Sequence, residues 1–210
     1  MNNKIIEELL QEIDRAYAKS NLKKQHKEWS YALFGSKPID NPILLLGLNF
    51  GAAGDTYTAQ TLDGIKQAKP FSDMNIDDLG KSFLRLKNYI SNYEKIDIGK
   101  IVWSNFCFFR SQSENELSKE DIDLTKPIFK KLLHHTKPIE IICVSKSLYN
   151  FLNNEKLIKN KQEKNIKINA ENTYTVIKAT LYDYPFYCLP HPNYPATKEG
   201  RKKCWDFCFS

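Results

Sequence analysis

The chain has 210 residues, enough for one domain with a substantial core. Hydrophobic residues make up 41% of the sequence and charged residues 27%, so wholesale disorder and collagen-like repeats are excluded. Lysine and arginine outnumber aspartate and glutamate by 31 to 25, and the formal charge of +6 suits a polyanionic partner without requiring one.

Hydrophobic periodicity predicts helices and strands in alternation. Apolar residues recur three to four positions apart over residues 3–19, which predicts an amphipathic helix within an N-terminal helical segment, residues 1–40. Three unbroken apolar runs predict strands that are buried on both faces, as in a parallel sheet: 41–49, 100–109 and 139–145. Helices with one apolar stripe are predicted between these strands, at 77–93 and 118–136.

The last third of the chain predicts one or two further strands, at 173–182 and 185–191, and a final helix at 195–209. The lysine-rich stretch 156–167 predicts a solvated loop or a frayed helix. Alternating strands and helices without a linker indicate one domain over 1–210. We therefore expect a three-layer α/β/α fold with a short, mainly parallel central sheet.

The sequence also predicts the cellular location of the protein and the state of its cysteines. No apolar run approaches the roughly 20 residues that span a bilayer, and the first 20 residues lack a signal-peptide pattern, so we expect a cytoplasmic protein without a membrane partner. Cysteines in apolar runs predict buried free thiols rather than disulfides: Cys107, Cys143, Cys188, Cys204 and Cys208.

The ends of the predicted strands carry the residues of interest, because open parallel sheets bind ligands beyond the carboxyl ends of their strands. The first run ends in Gly47-Leu48-Asn49-Phe50-Gly51, where small residues permit close approach of a ligand or simply form a turn. Asn105 lies in an apolar stretch, so its amide must bond either the backbone or a ligand. His191 lies between two prolines that fix its position, for a structural or a catalytic role.

Together these segments resemble the uracil-DNA glycosylase superfamily, most closely its single-strand-selective monofunctional and mismatch-specific branches. That family has a Gly-x-Asn-Pro-Gly motif, an asparagine at the end of a middle strand, and a late His-Pro-Ser or Asn-Pro-Ser loop. The matching segments are Gly47 to Gly51, Asn105 and His191-Pro192-Asn193, within a resemblance that runs from about residue 41 to residue 205. Phe50 replaces the family's proline and Asn193 replaces its serine, so the substrate is less defined than the reaction class.

The resemblance implies a monofunctional DNA glycosylase that flips a uracil-like, damaged or modified base, hydrolyses its N-glycosidic bond and leaves an abasic site. Catalysis would fall to Asn49, which orients a water, and to His191, which donates to the base carbonyl. The base pocket would contain Gly47, Leu48, Phe50, Phe71 and Asn105. Contacts to single- or double-stranded DNA would come from Asn193, Tyr194, Lys198 and Arg201.

Several alternatives stay open. Asp55 is an alternative base or a cap, Tyr57 competes with Phe71 as the wall that stacks on the base, and residues 55–69 form an extra loop or a lid. Other functional hypotheses are a non-catalytic nucleic-acid-binding module, a glycosylase for a bulky phage-type base, and a small-molecule hydrolase or nucleotide-binding protein of the same fold.

We expect a monomer with no cofactor and no metal. Cys204 and Cys208 lie one helical turn apart, but the first hundred residues contain no cysteines that would complete an iron-sulfur cluster. The pair His134-His135 at a predicted helix end is interpreted as a contact with the helix dipole rather than as a ligand pair.

Overall fold

The computed structural model describes residues 1–26, 29–51 and 58–210, and its strands form one large sheet and one small ladder. In chain order the strands are β1 (Ile43–Gly47), β2 (Phe50–Gly51), β3 (Ile101–Asn105), β4 (Arg110–Ser111), β5 (Glu140–Cys143), β6 (Ile158–Lys167), β7 (Thr173–Leu181) and β8 (Tyr184–Cys188). The large sheet has the order β3-β1-β5-β8-β7-β6, and β2 pairs with β4 separately. Strands β1, β3, β5 and β8 are parallel, while β6 and β7 are antiparallel additions. The predicted α/β class with a mainly parallel sheet is confirmed.

Helices cover both faces of this sheet. In chain order they are α1 (Asn3–Lys19), α2 (Asn21–Gln25), α3 (Leu62–Lys66), α4 (Ile76–Ser91), α5 (Lys119–Thr136), α6 (Lys146–Asn154) and α7 (Lys198–Phe209). Leu44 and Leu46 of β1 join a buried cluster with α1, α5 and α6, whereas Ile43 and Leu45 join a second cluster with α4 and α7. Successive side chains of β1 thus point to opposite faces of the sheet, as expected of a strand that helices cover on both sides. No helix in the described ranges is long and apolar enough to cross a membrane.

The prediction for residues 156–167 is wrong, because this lysine-rich stretch contains strand β6. β6 is the last strand of the sheet and pairs antiparallel with β7. Both of its faces meet solvent along most of its length, with only Ile158 half-buried and Ile166 buried. Burial therefore imposes no alternation of apolar and polar residues, and lysines on such an edge oppose association with other strands.

The N-terminal segment packs on the sheet through helices and through a short extended stretch. Helices α1 and α2 contact α5, whose buried Asp121 accepts a hydrogen bond from the backbone N–H of Asn21 at 2.7 Å. Farther along, Tyr31 pairs with Phe109 and Phe34 pairs with Ser104 in isolated antiparallel bridges. The segment is therefore partly extended, and it covers the outer edge of β3.

Helix α4 contains a break that shapes the carboxyl edge of the sheet. Gly80 has a φ of 66° and a ψ of 171°, a conformation that glycine adopts without the cost of a Cβ clash. Asn75 and Asp78 cap the short turn before the break, and the regular helix continues afterwards. As a result, Ser82 and Phe83 lie against the residues that follow β8.

Candidate functional site at the carboxyl edge of the sheet

The first two predicted site segments meet directly, because β1 and β3 are neighbours in parallel register. Gly47 is the register partner of Asn105, and the pairing continues as the backbone N–H of Cys107 donates to the Leu48 carbonyl at 2.7 Å. A Cβ on Gly47 would lie 2.3 Å from Asn105 Oδ1, far inside van der Waals contact. Glycine is therefore required at position 47 to accommodate the asparagine side chain. Leu48 is buried in the core on the opposite side of the sheet, beside Phe106, and does not face Asn105.

Two side-chain donors on β3 are buried without a partner. Asn105 is 1% exposed, and neither its Nδ2 nor the indole Nε1 of Trp103 has a hydrogen-bond partner within the described part of the chain. The two residues are two positions apart, so their side chains leave the same face of the strand. An unpaired buried donor costs about 1 to 3 kcal/mol, so this face of the strand favours a ligand that carries acceptors.

Asn49 is half-buried, and its amide nitrogen is held by two oxygen atoms. Nδ2 donates to the Phe50 carbonyl at 3.0 Å and to Ser111 Oγ at 2.6 Å. Ser111 belongs to β4, which pairs with β2 beside Asn49. The small ladder thus fixes the side chain that follows β1, and Ser111 is a site residue that sequence reasoning missed.

His191 follows β8 and is held in a neutral state. Its Nδ1 accepts a hydrogen bond from the backbone N–H of Asn193 at 3.1 Å, so the proton of the neutral ring lies on Nε2. Burial lowers the pKa of His191, the carboxylate of Glu114 opposes this shift, and Arg201 adds to it. The imidazole therefore presents an Nε2–H donor near neutral pH.

An aromatic cluster connects the three segments across the sheet edge. Phe83 of α4 stacks on Trp103 with ring centroids 4.9 Å apart, and it lies nearly perpendicular to the His191 ring with centroids 6.2 Å apart. Phe50 is 4% exposed and also packs against Trp103, with ring centroids 5.7 Å apart. Phe83 and Trp103 are half-buried, which leaves part of both rings open. Phe83 fits the apolar stripe of α4, so the sequence gives no local signal that it belongs to the site.

Phe71, the predicted stacking residue, lies in the core on the α4 side of the sheet and is 1% exposed. A base can stack on it only if covering residues move. Its competitor Tyr57 and the carboxylate of Asp55 lie outside the described residues. The described part of the expected loop or lid contains α3, and Gln60 anchors it by accepting from the backbone N–H of Leu33 at 2.8 Å.

The predicted DNA-binding loop, which follows β8, is held by side chains of α7 and α4. Arg201 donates to the carbonyls of Pro190 and Tyr194, both at 3.2 Å, and its pKa is lowered by burial. Asn193 contacts Ser82 of α4 through their side-chain oxygens.

Solvent remains accessible at this loop. Tyr194 is 36% exposed, and its ring packs edge-on against Tyr174. Lys198 is exposed in the first turn of α7. A cavity of about 310 Å³ separates the loop from α4 and is lined by Arg85, Tyr89 and Arg201 among others. Arg201 thus supports the loop, and Tyr194 and Lys198 remain available to a partner.

Metal-ligating residues do not cluster in the described ranges: no group of three or more His, Cys, Asp or Glu side chains there is arranged to hold an ion. All five cysteines are buried and free, as predicted. Cys204 and Cys208 lie on the buried face of α7, and burial raises the pKa of Cys204 to about 11. The rings of His134 and His135 pack against each other at the end of α5.

No protein-family model matches this chain, and no curated protein matches it significantly. Its function is therefore inferred from the chemistry of the site.

Proposed function

We propose that this protein is a monofunctional DNA glycosylase that hydrolyses the N-glycosidic bond of a flipped, uracil-like or modified base. The observation that carries the proposal is the set of uncharged polar groups at one sheet edge: the Asn49 amide, the neutral His191 ring, and the Asn105 amide, whose Nδ2 has no partner among the described residues. Beside them lie the stacked, half-buried rings of Phe83 and Trp103. Uncharged donors next to aromatic rings suit a planar, uncharged heterocycle that carries carbonyl groups.

The reaction requires no carboxylate pair, because a nucleobase can leave as an anion. The bond between C1′ and the base nitrogen breaks, the electron pair goes to the base, and a water oxygen adds to the oxocarbenium-like sugar. The proton that this water loses passes to the departed base anion, so that the products are an abasic sugar and the neutral free base. Asn49 orients this water by accepting one of its hydrogen bonds at Oδ1. An amide is a poor base, so Asn49 contributes position rather than proton abstraction.

The departing base needs donors where its negative charge develops. His191 supplies Nε2–H to the carbonyl next to the broken bond, and the backbone N–H of Asn193 keeps the required tautomer. Asn105 bonds the Watson-Crick edge of the base, and its Nδ2, which has no partner in the described part of the chain, thereby gains an acceptor. Each group is fixed before the substrate binds, which is the arrangement that electrostatic catalysis favours.

DNA contacts are proposed for the loop after β8 and for the start of α7. Tyr194 is exposed at the loop tip and is suited to enter the space that the flipped base leaves, while Lys198 meets a phosphate. The formal charge of +6 favours association with a polyanion.

The test uses single- and double-stranded oligonucleotides that carry uracil, 5-hydroxymethyluracil or glucosylated hydroxymethylcytosine, followed by alkali to reveal abasic sites. We expect release of free base without strand cutting before alkali treatment. Asn49→Ala should slow release about a hundredfold or more, whereas Asn3→Ala, which removes an exposed asparagine at the start of α1, should not slow it. Tight DNA binding without release from any substrate would instead support the non-catalytic binding module.

A further inference from the structure

Ser111 determines which end of the Asn49 carboxamide faces the site. Ser111 is 1% exposed, and its Oγ lies 2.7 Å from the carbonyl oxygen of Ser113. A carbonyl oxygen only accepts, so the single hydroxyl hydrogen of Ser111 points at Ser113. The Oγ of Ser111 is therefore left as an acceptor for Asn49.

Both neighbours of the Asn49 amide are thus acceptors. The Phe50 carbonyl lies 3.0 Å from Nδ2 and Ser111 Oγ lies 2.6 Å from it, so both contacts require the NH₂ end. Rotation of the carboxamide by half a turn would place Oδ1 against two acceptors and break both hydrogen bonds. The network consequently directs Oδ1 away from Ser111.

Backbone pairing makes this support rigid. Ser111 is the register partner of Gly51 in the β2–β4 ladder, and the backbone N–H of Arg110 donates to the Ser30 carbonyl at 2.9 Å. The serine and the asparagine are 62 positions apart in the chain, so tertiary pairing that includes this ladder brings them together.

We infer that Ser111 is a positioning residue for the proposed hydrolysis, which presents Asn49 Oδ1 as an acceptor to the attacking water. A water that donates one hydrogen to Oδ1 keeps a lone pair for C1′. A carboxamide turned the other way would donate to the water oxygen, which occupies one of its lone pairs and makes the water a weaker nucleophile. The inference rests on the proposed function and adds a residue that acts through Asn49 without contact to the base.

The experiment compares Ser111→Ala and Ser111→Thr, which retains a hydroxyl, with Ser104→Ala as the matched control. Ser104 is also buried, and its hydroxyl bonds the Leu33 carbonyl at 2.6 Å on β3. Base release is measured in single turnover at saturating enzyme, and DNA affinity is measured separately. We expect Ser111→Ala to slow release about tenfold with affinity within twofold, while Ser111→Thr and Ser104→Ala retain most of the rate.

Dependence on Asn49 separates positioning from a general structural role. If Ser111 acts only through Asn49, adding Ser111→Ala to Asn49→Ala should not slow release further. A tenfold additional loss in the double variant would overturn the inference, as would an unchanged rate in Ser111→Ala.

A second measurement decides the orientation without any catalysis. The Asn49 side-chain NH₂ signals, identified by their loss in Asn49→Ala, should be protected from hydrogen exchange in the parent and in Ser104→Ala. We expect Ser111→Ala to remove that protection and Ser111→Thr to preserve it. Unchanged protection in Ser111→Ala refutes the positioning role, whereas an inactive parent with the expected signals refutes the proposed function alone.

Discussion

Gly47→Ala tests the most crowded contact of the candidate site. The added Cβ would lie 2.3 Å from Asn105 Oδ1, which must retreat by about 1 Å to reach an ordinary contact. Gly47 and Asn105 are register partners on the paired strands β1 and β3, and Asn105 is 1% exposed, so the clash cannot be relieved by moving the amide into solvent. The substitution therefore overpacks the site.

The sign of the effect on stability is opposite to that of a simple glycine replacement. Alanine in a strand is usually favoured over glycine by about 0.5 to 1 kcal/mol, because the unfolded chain loses less entropy. Overpacking a well-packed site costs about 1 to 3 kcal/mol, so after this gain is subtracted we expect Gly47→Ala to lower the free energy of unfolding by about 1 kcal/mol. For a chain of this size that change lowers Tm by about 2 to 4 °C.

Denaturant and thermal unfolding measure the change, with Gly51→Ala as the matched control because no atom of the described residues lies within 4 Å of the Cβ it would add. We expect Gly51→Ala to be neutral or stabilising. In an Asn105→Ala background the cost of Gly47→Ala should largely disappear, since the opposing oxygen is gone. Equal stability of the Gly47→Ala and Gly51→Ala proteins would refute the packing argument.

The remaining predictions concern the chemistry of the site. Asn49→Ala and His191→Ala should each slow base release about a hundredfold or more while DNA affinity stays within a few fold, because both act mainly on the transition state; single-turnover rates and binding titrations check this. Base release should fall at acid pH, as protonation of His191 removes the Nδ1 acceptor for the backbone N–H of residue 193. Glu114→Gln removes the charge that raises the pKa of His191, so the pH below which base release falls should become lower. An NMR titration of the imidazole in which the substitution does not lower the pKa of His191 would contradict this. Asn105→Asp and Phe50→Pro should alter the relative release rates of uracil, 5-hydroxymethyluracil and glucosylated hydroxymethylcytosine, and unchanged ratios in both variants would mean that neither residue selects the base.

Burial patterns in the sequence determined the architecture. Unbroken apolar runs predict β1, β3 and β5, because a strand covered on both faces needs apolar side chains at every position. The same reasoning explains why β6 was not predicted. An edge strand that is exposed on both faces needs no pattern of apolar residues, so its sequence does not distinguish it from a loop. Periodicity therefore identifies elements only where the core covers them.

The sequence also determined which residues meet at one edge. Gly47 and Asn105 end neighbouring parallel strands, and His191 follows another strand of the same direction, so all three lie at the carboxyl edge. This inference needs only the position of each residue at the end of its strand and the rule that parallel strands share an orientation.

Only the tertiary structure decided the contacts between elements. Phe83 lies in the apolar stripe of its helix, and its stacking on Trp103 depends on how α4 docks on the sheet after the break at Gly80. Arg201 has the appearance of a surface cation in the sequence, yet its guanidinium bonds two carbonyls of the loop after β8.

The hydrogen bond between Ser111 and Asn49 is the clearest example of a contact that the sequence does not predict. The two residues are 62 positions apart and meet beside a ladder of two-residue strands. The physical reason is that side-chain periodicity records only whether a residue is buried. The partner of a buried polar group is fixed by the three-dimensional packing of distant segments, which no local pattern encodes.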